Sequence, residues 1–167
     1  PGARALDGLR GGVGAWGGFF SARPDGSGAV AVARPAMTPN GIALSPDGKT
    51  VYYAETEGAR LWAFDITGPG QVRRDPWPSP HGGRLVAAAP GGHYQRFDSI
   101  AVDALGITVI SPDGSLASHV PLPDRYTTNL CFGGKDMRTV YVTLSGVGKL
   151  IAIDDWPVPG LRLNFNA

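Results

Sequence analysis

Short apolar runs alternate with tight turns along the chain. GGFFS (17–21), GIAL (41–44), VYYAE (51–55), LWAFD (61–65), RLVAAA (84–89), SIAV (99–102), ITVI (107–110), NLCF (129–132), VYVTL (140–144) and LIAID (150–154) each have strand length. Pro-Asp-Gly turns stand at 24–26, 46–48 and 112–114. Helical periodicity is scarce, so the pattern predicts an all-β protein with no helix longer than two turns.

The strands form a repeat. Asn40–Thr56 (NGIALSPDGKTVYYAET), Asp98–Gly106 (DSIAVDALG) and Asn129–Ser145 (NLCFGGKDMRTVYVTLS) align on their first strands. Asn40 to Val51 is 11 positions, as is Asn129 to Val140. A third strand follows in the first and last units, at Leu61–Asp65 and Leu150–Asp154. The interval from 40 to 129 is 89 positions, two units of about 44–45, which is the period of radial propeller blades. The alternative is a sandwich built from similar hairpins. The middle unit is irregular. It comes late because of the loop-rich tract Ser79–Phe97, and its second strand and turn are expected to be missing. Ile107–Ile110 should then pair with Ile100–Asp103 through a turn at Ala104–Gly106.

Composition narrows the function classes. The chain has 167 residues, 43% of them apolar, and a net charge of +1. That suits one globular domain and excludes the basic footprint of nucleic-acid binding. No apolar window is long enough for a membrane span, and PGARALDGLR lacks the apolar stretch of a signal peptide. A single cysteine, Cys131, excludes an internal disulfide framework and is compatible with the cytoplasm. It alternates with apolar neighbours and is expected to be buried. The expected domain plan is one partial propeller over 1–167, with an irregular segment at 1–17 and about three blades over 18–167.

Polar residues recur where each first strand begins: Asn40, Asp98 and Asn129. First strands of propeller blades line the central channel, so these side chains would converge there. The alternative is that each merely caps a turn. Other candidates lack their context. The G-x-G-x-x-G at 12–17 leads into a strand rather than a helix. His81, His93 and His119 lack metal-ligand spacing and are expected to be solvated, with His81 and His93 open as channel-mouth residues. Trp62, Tyr52, Tyr141 and Phe64 are expected to pack between blades. Asp25, Asp47 and Asp113 belong to turns.

PNGIALSPDGKTVYYAET, DSIAVD, ITVISPDG and TTNLCFGGKDMRTVYVTLSG together resemble the regucalcin, gluconolactonase and luciferin-regenerating enzyme family. The resemblance runs from about Gly18 onward. It implies a six-bladed propeller with a divalent metal in its channel, hydrolysing sugar lactones or related cyclic esters. The chain is similar to the C-terminal half, about three blades. It implies Asn40 and Asp98 as metal ligands, although Ser99 stands where the family has Gly. The family's remaining ligand, a Glu, has no counterpart here. Asp98 is implied as ligand or as general base, and Asn129 is a candidate substrate contact. An all-oxygen site suits Ca²⁺, with Zn²⁺, Mn²⁺ or Mg²⁺ as alternatives. The implied partners are a small-molecule lactone and either a missing N-terminal half or a second copy. The competing reading is a non-catalytic binding or structural propeller.

Overall fold

The computed structural model describes residues 17–36, 38–76, 78–89, 97, 102–103, 106–124 and 126–162. All regular structure among them is β. No helix among them is long and apolar enough to cross a membrane. In chain order the strands are β1 (Gly17–Ser21), β2 (Val30–Ala36), β3 (Pro39–Leu44), β4 (Thr50–Glu55), β5 (Arg60–Gly68), β6 (Gln71–Val72), β7 (Arg84–Ala88), β8 (Val102–Asp103), β9 (Gly106–Ile110), β10 (Leu116–Pro121), β11 (Thr127–Gly133), β12 (Thr139–Leu144) and β13 (Lys149–Ile153).

The strands form the blades of a partial propeller. β3, β4, β5 and β7 make one antiparallel meander, with β6 paired to the far end of β5. β8–β9–β10 and β11–β12–β13 make two more, and β1–β2 is a separate hairpin. The first meander has four strands. The other two have three strands each among the described residues.

The middle blade corrects the repeat. The predicted hairpin forms, but Val102 pairs with Ile107 and Asp103 with Gly106, so Gly106 belongs to the strand and not to the turn; Ile100, Ala101, Ala104 and Leu105 lie outside the described residues. β9, however, occupies the second-strand place, between β8 and β10. No second strand is missing. The connection is shorter than the Ser45–Lys49 turn that joins β3 to β4. The Pro-Asp-Gly turns close as expected, with the Asp47 carboxylate accepting from Ser45 Oγ and the Lys49 N–H, and Asp113 from the Ser115 N–H and Oγ.

Two cores hold the blades together. One joins the β1–β2 hairpin to the first meander through Phe19, Val32, Val51, Tyr53, Trp62 and Phe64. The other joins the middle and last meanders through Ile107, Val140, Val142 and Leu144. Trp62 and Phe64 are buried as expected, while Tyr141 is exposed on its strand. Cys131 is also exposed, against expectation. It pairs with Tyr141, and both lie on the face of β11–β12 opposite the buried Val140 and Val142.

Candidate functional site

The start of β3 departs from regular pairing at Asn40. Pro39 pairs with Glu55 and Ile42 with Tyr53, so Asn40 and Gly41 together face the single residue Ala54. This is a β-bulge, a device that re-aims a side chain and is frequent beside active sites. Asn40 is exposed, and its Nδ2 donates to Thr56 Oγ1 at 3.2 Å. That bond fixes the donor end of the amide. The carbonyl oxygen Oδ1 is the end turned away from Thr56.

The last meander carries the same bulge. Thr127 pairs with Leu144 and Asn129 with Thr143, so Thr128 is the extra residue. Thr128 Oγ1 lies 3.0 Å from Ser145 Oγ, as Asn40 lies against Thr56. The residue in Asn40's place is therefore Thr128, not Asn129, a correction of one position to the repeat. The sequence alignment missed it because the β11–β12 turn is one residue longer than its counterpart. Asn129 is exposed beside the bulge, with Oδ1 accepting from the Leu130 N–H at 2.8 Å. Asp98, the other implied ligand, lies outside the described residues, as does His93.

Asn40 fits a hard cation. Its side-chain carbonyl oxygen is neutral, a usual type of Ca²⁺ donor, on an exposed strand start. No group of three or more His, Cys, Asp or Glu residues that could hold a metal occurs among the described residues. The resemblance implies Asp98 as a further ligand, and Asp98 lies outside the described residues.

Behind Asn40 lies a buried polar chain that sequence reasoning missed. His81 is 6% exposed, which corrects the expectation of a solvated or channel-mouth residue. The Gly83 N–H donates to His81 Nδ1 at 3.1 Å. The ring proton therefore sits on Nε2, 2.5 Å from Tyr53 Oη, and donates to it. Tyr53 Oη in turn donates to Glu55 Oε1 at 3.3 Å. Tyr53 and Glu55 are 1% and 3% exposed. Aromatic edges hold the imidazole, with Trp62 at 4.5 Å between centroids and Tyr53 at 5.6 Å. Burial pushes the His81 pKa down, against the Glu55 charge and with help from Arg74. Burial, with Glu55 beside it, pushes the Tyr53 phenol far up. Arg74 fastens the loop by donating to His81 O at 2.6 Å and Val32 O at 2.8 Å. The sequence did carry a signal. The repeat aligns Tyr53 and Glu55 with Val142 and Leu144, so polar residues stand where the other unit is apolar.

A cavity elsewhere among the described residues is chemically bland. It measures about 420 Å³, lies between the meanders, and is lined by Ala54, Leu61, Ile107, Val140 and Trp156 among others. Its described lining contains no ionisable side chain.

Comparison with known proteins gives the family. The profile of the SMP-30/Gluconolactonase/LRE-like region matches residues 2–146. A 6-deoxy-6-sulfogluconolactonase of Pseudomonas putida is 30% identical over 144 residues, covering 79% of this chain and 47% of that protein. A solved putative gluconolactonase superposes with a TM-score of 0.68 at 27% identity, over 92% of this chain and 51% of its own. The calcium-binding protein regucalcin of Agrobacterium tumefaciens shares the fold, with a TM-score of 0.61 at 18% identity, over 87% and 56%. The chain thus spans about half the length of these proteins. With the profile match covering most of its residues, this chain belongs to the SMP-30/gluconolactonase/LRE-like family.

Proposed function

We propose that this chain forms part of a metal-dependent lactonase that opens a sugar lactone or related cyclic ester. The observation that carries the reading is the bulge at Asn40. It presents an amide oxygen at a strand start while Thr56 holds the other end of the amide. The family membership and the sulfogluconolactonase relative supply the reaction class.

Asn40 and Asp98 would hold the ion, Ca²⁺ first among the hard divalent cations. When bound, such an ion polarises a carbonyl oxygen and acidifies a coordinated water. Asp98, in the role of base, would take the proton of the attacking water on a carboxylate oxygen. The water oxygen would add to the lactone carbonyl carbon, the ring acyl C–O bond would break, and the departing ring oxygen would take the proton from Asp98 to become a hydroxyl of the open acid. Asn129, at the same end of its blade, is the proposed substrate contact.

The reading is tested in the full-length protein with a pH-indicator assay on a panel of sugar lactones, adding Ca²⁺, Mn²⁺, Mg²⁺ or Zn²⁺. Metal-dependent turnover that Asp98→Ala abolishes and Asn40→Ala reduces is the expected result. Unchanged turnover in the Asp98→Ala protein would overturn the site.

A further inference from the structure

We propose that the buried chain Gly83–His81–Tyr53–Glu55 is a positioning device that holds Asn40 at the angle its carbonyl oxygen needs to meet a cation. The inference rests on Asn40 being a ligand, as proposed above.

The geometry forms a continuous path. Glu55, which accepts from Tyr53 in this chain, is also the residue that pairs with Pro39, directly before Asn40. Thr56, next along, accepts from Asn40 Nδ2, and its own N–H donates to Thr38 O at 3.1 Å. The end of β4 therefore grips the bulge on both sides of Asn40. Rotation or fraying of that end would turn the amide. The Glu55 side chain anchors it through Tyr53 and His81 to the Gly83 backbone, and Arg74 ties that loop to β2. Every polar step has one direction: Gly83 N–H to Nδ1, Nε2–H to Oη, Oη–H to Oε1. A chain with fixed polarity admits one arrangement, which makes it a rigid strut.

The last meander serves as an internal control. It has the same bulge and the same pairing, yet fills these places with Val142 and Leu144, both fully or almost fully buried. The scaffold therefore closes with apolar residues. Burying a carboxylate, a phenol and an imidazole instead costs desolvation that the fold does not require. The polar version occurs in the blade whose bulge carries the amide ligand, and the apolar version where the bulge carries Thr128. Partners one step behind metal ligands commonly change affinity by about 10–100-fold when removed.

The test uses the full-length protein with Tb³⁺ as a luminescent stand-in for Ca²⁺. It reads Tb³⁺ affinity and, from lifetimes in H₂O and D₂O, the number of coordinated waters. Tyr53→Phe and His81→Phe should each weaken Tb³⁺ by about tenfold and add about one water, because a water takes the place of the displaced amide oxygen. His81→Gln carries both an acceptor and a donor and should restore most of the affinity. Val142→Ala, which loosens the matching place in the last meander, should lower the melting temperature and leave both Tb³⁺ readings unchanged. If Asn40→Ala loses Tb³⁺ affinity while Tyr53→Phe and His81→Phe bind normally with unchanged water number, the positioning role is wrong and the ligand assignment stands. If Asn40→Ala itself binds normally, the ligand assignment falls and the positioning role with it. Should Tyr53→Phe fail to fold, the comparison of His81→Gln with His81→Phe decides, and equal affinities there overturn the proposal.

Discussion

The first and last meanders are built on one plan and filled with opposite chemistry. Both place a bulge at the start of their first strand, and both close it with a hydroxyl just past the end of the next strand, Thr56 or Ser145. Tyr53 and Trp62 pair in the first as Val142 and Ile151 do in the last. Phe64 and Ile153 likewise match across Val51 and Val140. The first meander buries aromatic side chains, with three buried polar groups joined in a chain; the last buries aliphatic side chains at the matching places, with Phe132 and Trp156 packed against them. The backbone plan thus needs only apolar alternation and a turn. The buried polar groups of the first meander are an addition to that plan, and the place to look for their purpose is the side chain they stand behind.

The sharpest way to break the comparison is to put a carboxylate into the wrong blade. Leu144 is 2% exposed among Val140, Val142 and Ile107. Leu144→Glu would have no Tyr53 hydroxyl to receive, so the variant should lose about 3–5 kcal/mol, the scale of an uncompensated buried charge. Burial raises the pKa of such a carboxyl, so the loss should shrink as the pH falls and the group protonates. Urea unfolding at two pH values measures both effects. A mild loss would mean that the last meander tolerates a buried charge and that the two cores differ less than they look.

The reverse exchange separates stability from function. Tyr53→Phe/Glu55→Leu/His81→Leu gives the first meander an apolar core like the last. Replacing a buried polar cluster by apolar side chains is often neutral or stabilising by about 1–4 kcal/mol. The triple variant should therefore fold at least as firmly as the parent, and in the full-length protein should bind metal about tenfold more weakly. A triple variant that unfolds would show that the polar chain belongs to the fold after all.

Acid should distinguish the two cores more gently. The folded pKa of His81 is pushed down chiefly by burial; Glu55 opposes the shift, Arg74 adds to it, and neutral Tyr53 faces the same nitrogen. The unfolded chain takes up this proton first, near the ordinary histidine value of about 6.5. The stabilisation is thus fully present above that pH and is lost progressively as the pH falls below it towards the lower folded pKa. His81→Gln should flatten this part of the profile. Urea midpoints between about pH 8 and about pH 5 give the slope. An unchanged slope in the variant would assign the acid sensitivity to another group.

These contrasts also explain what could be read from the sequence. Strand positions, the turn aspartates and the blade plan were legible because alternation and Pro-Asp-Gly chemistry are local. The hairpin at Val102–Ile107 was legible for the same reason. Equivalence across blades was legible only to within one residue, because a single extra residue in the β11–β12 turn shifts Asn129 off the place of Asn40. The burial of His81 was not legible. It lies in a loop 28 positions from Tyr53, and only tertiary packing brings the two rings together. Exposure of Cys131 was missed because apolar neighbours indicate a strand and leave open which face is covered.

The smallest expected effect sharpens the comparison at the bulge itself. Thr128 stands where Asn40 does, half-exposed, with its hydroxyl shared between Thr143 Oγ1 and Ser145 Oγ at 3.0 Å each. Thr128→Asn puts the ligand-type residue on the last meander's bulge and keeps a donor for Ser145. At such a surface position the change should stay within about 0.5 kcal/mol of stability. It should also leave Tb³⁺ affinity and bound-water number unaltered in the full-length protein. Behind Thr128 stand Val142 and Leu144, with none of the polar strut that lies behind Asn40. An amide added there would hang from Ser145 alone and turn with the strand end. Tighter Tb³⁺ binding in Thr128→Asn would show that a bulge and an amide suffice, and that the first meander's buried chain contributes nothing to holding the ion.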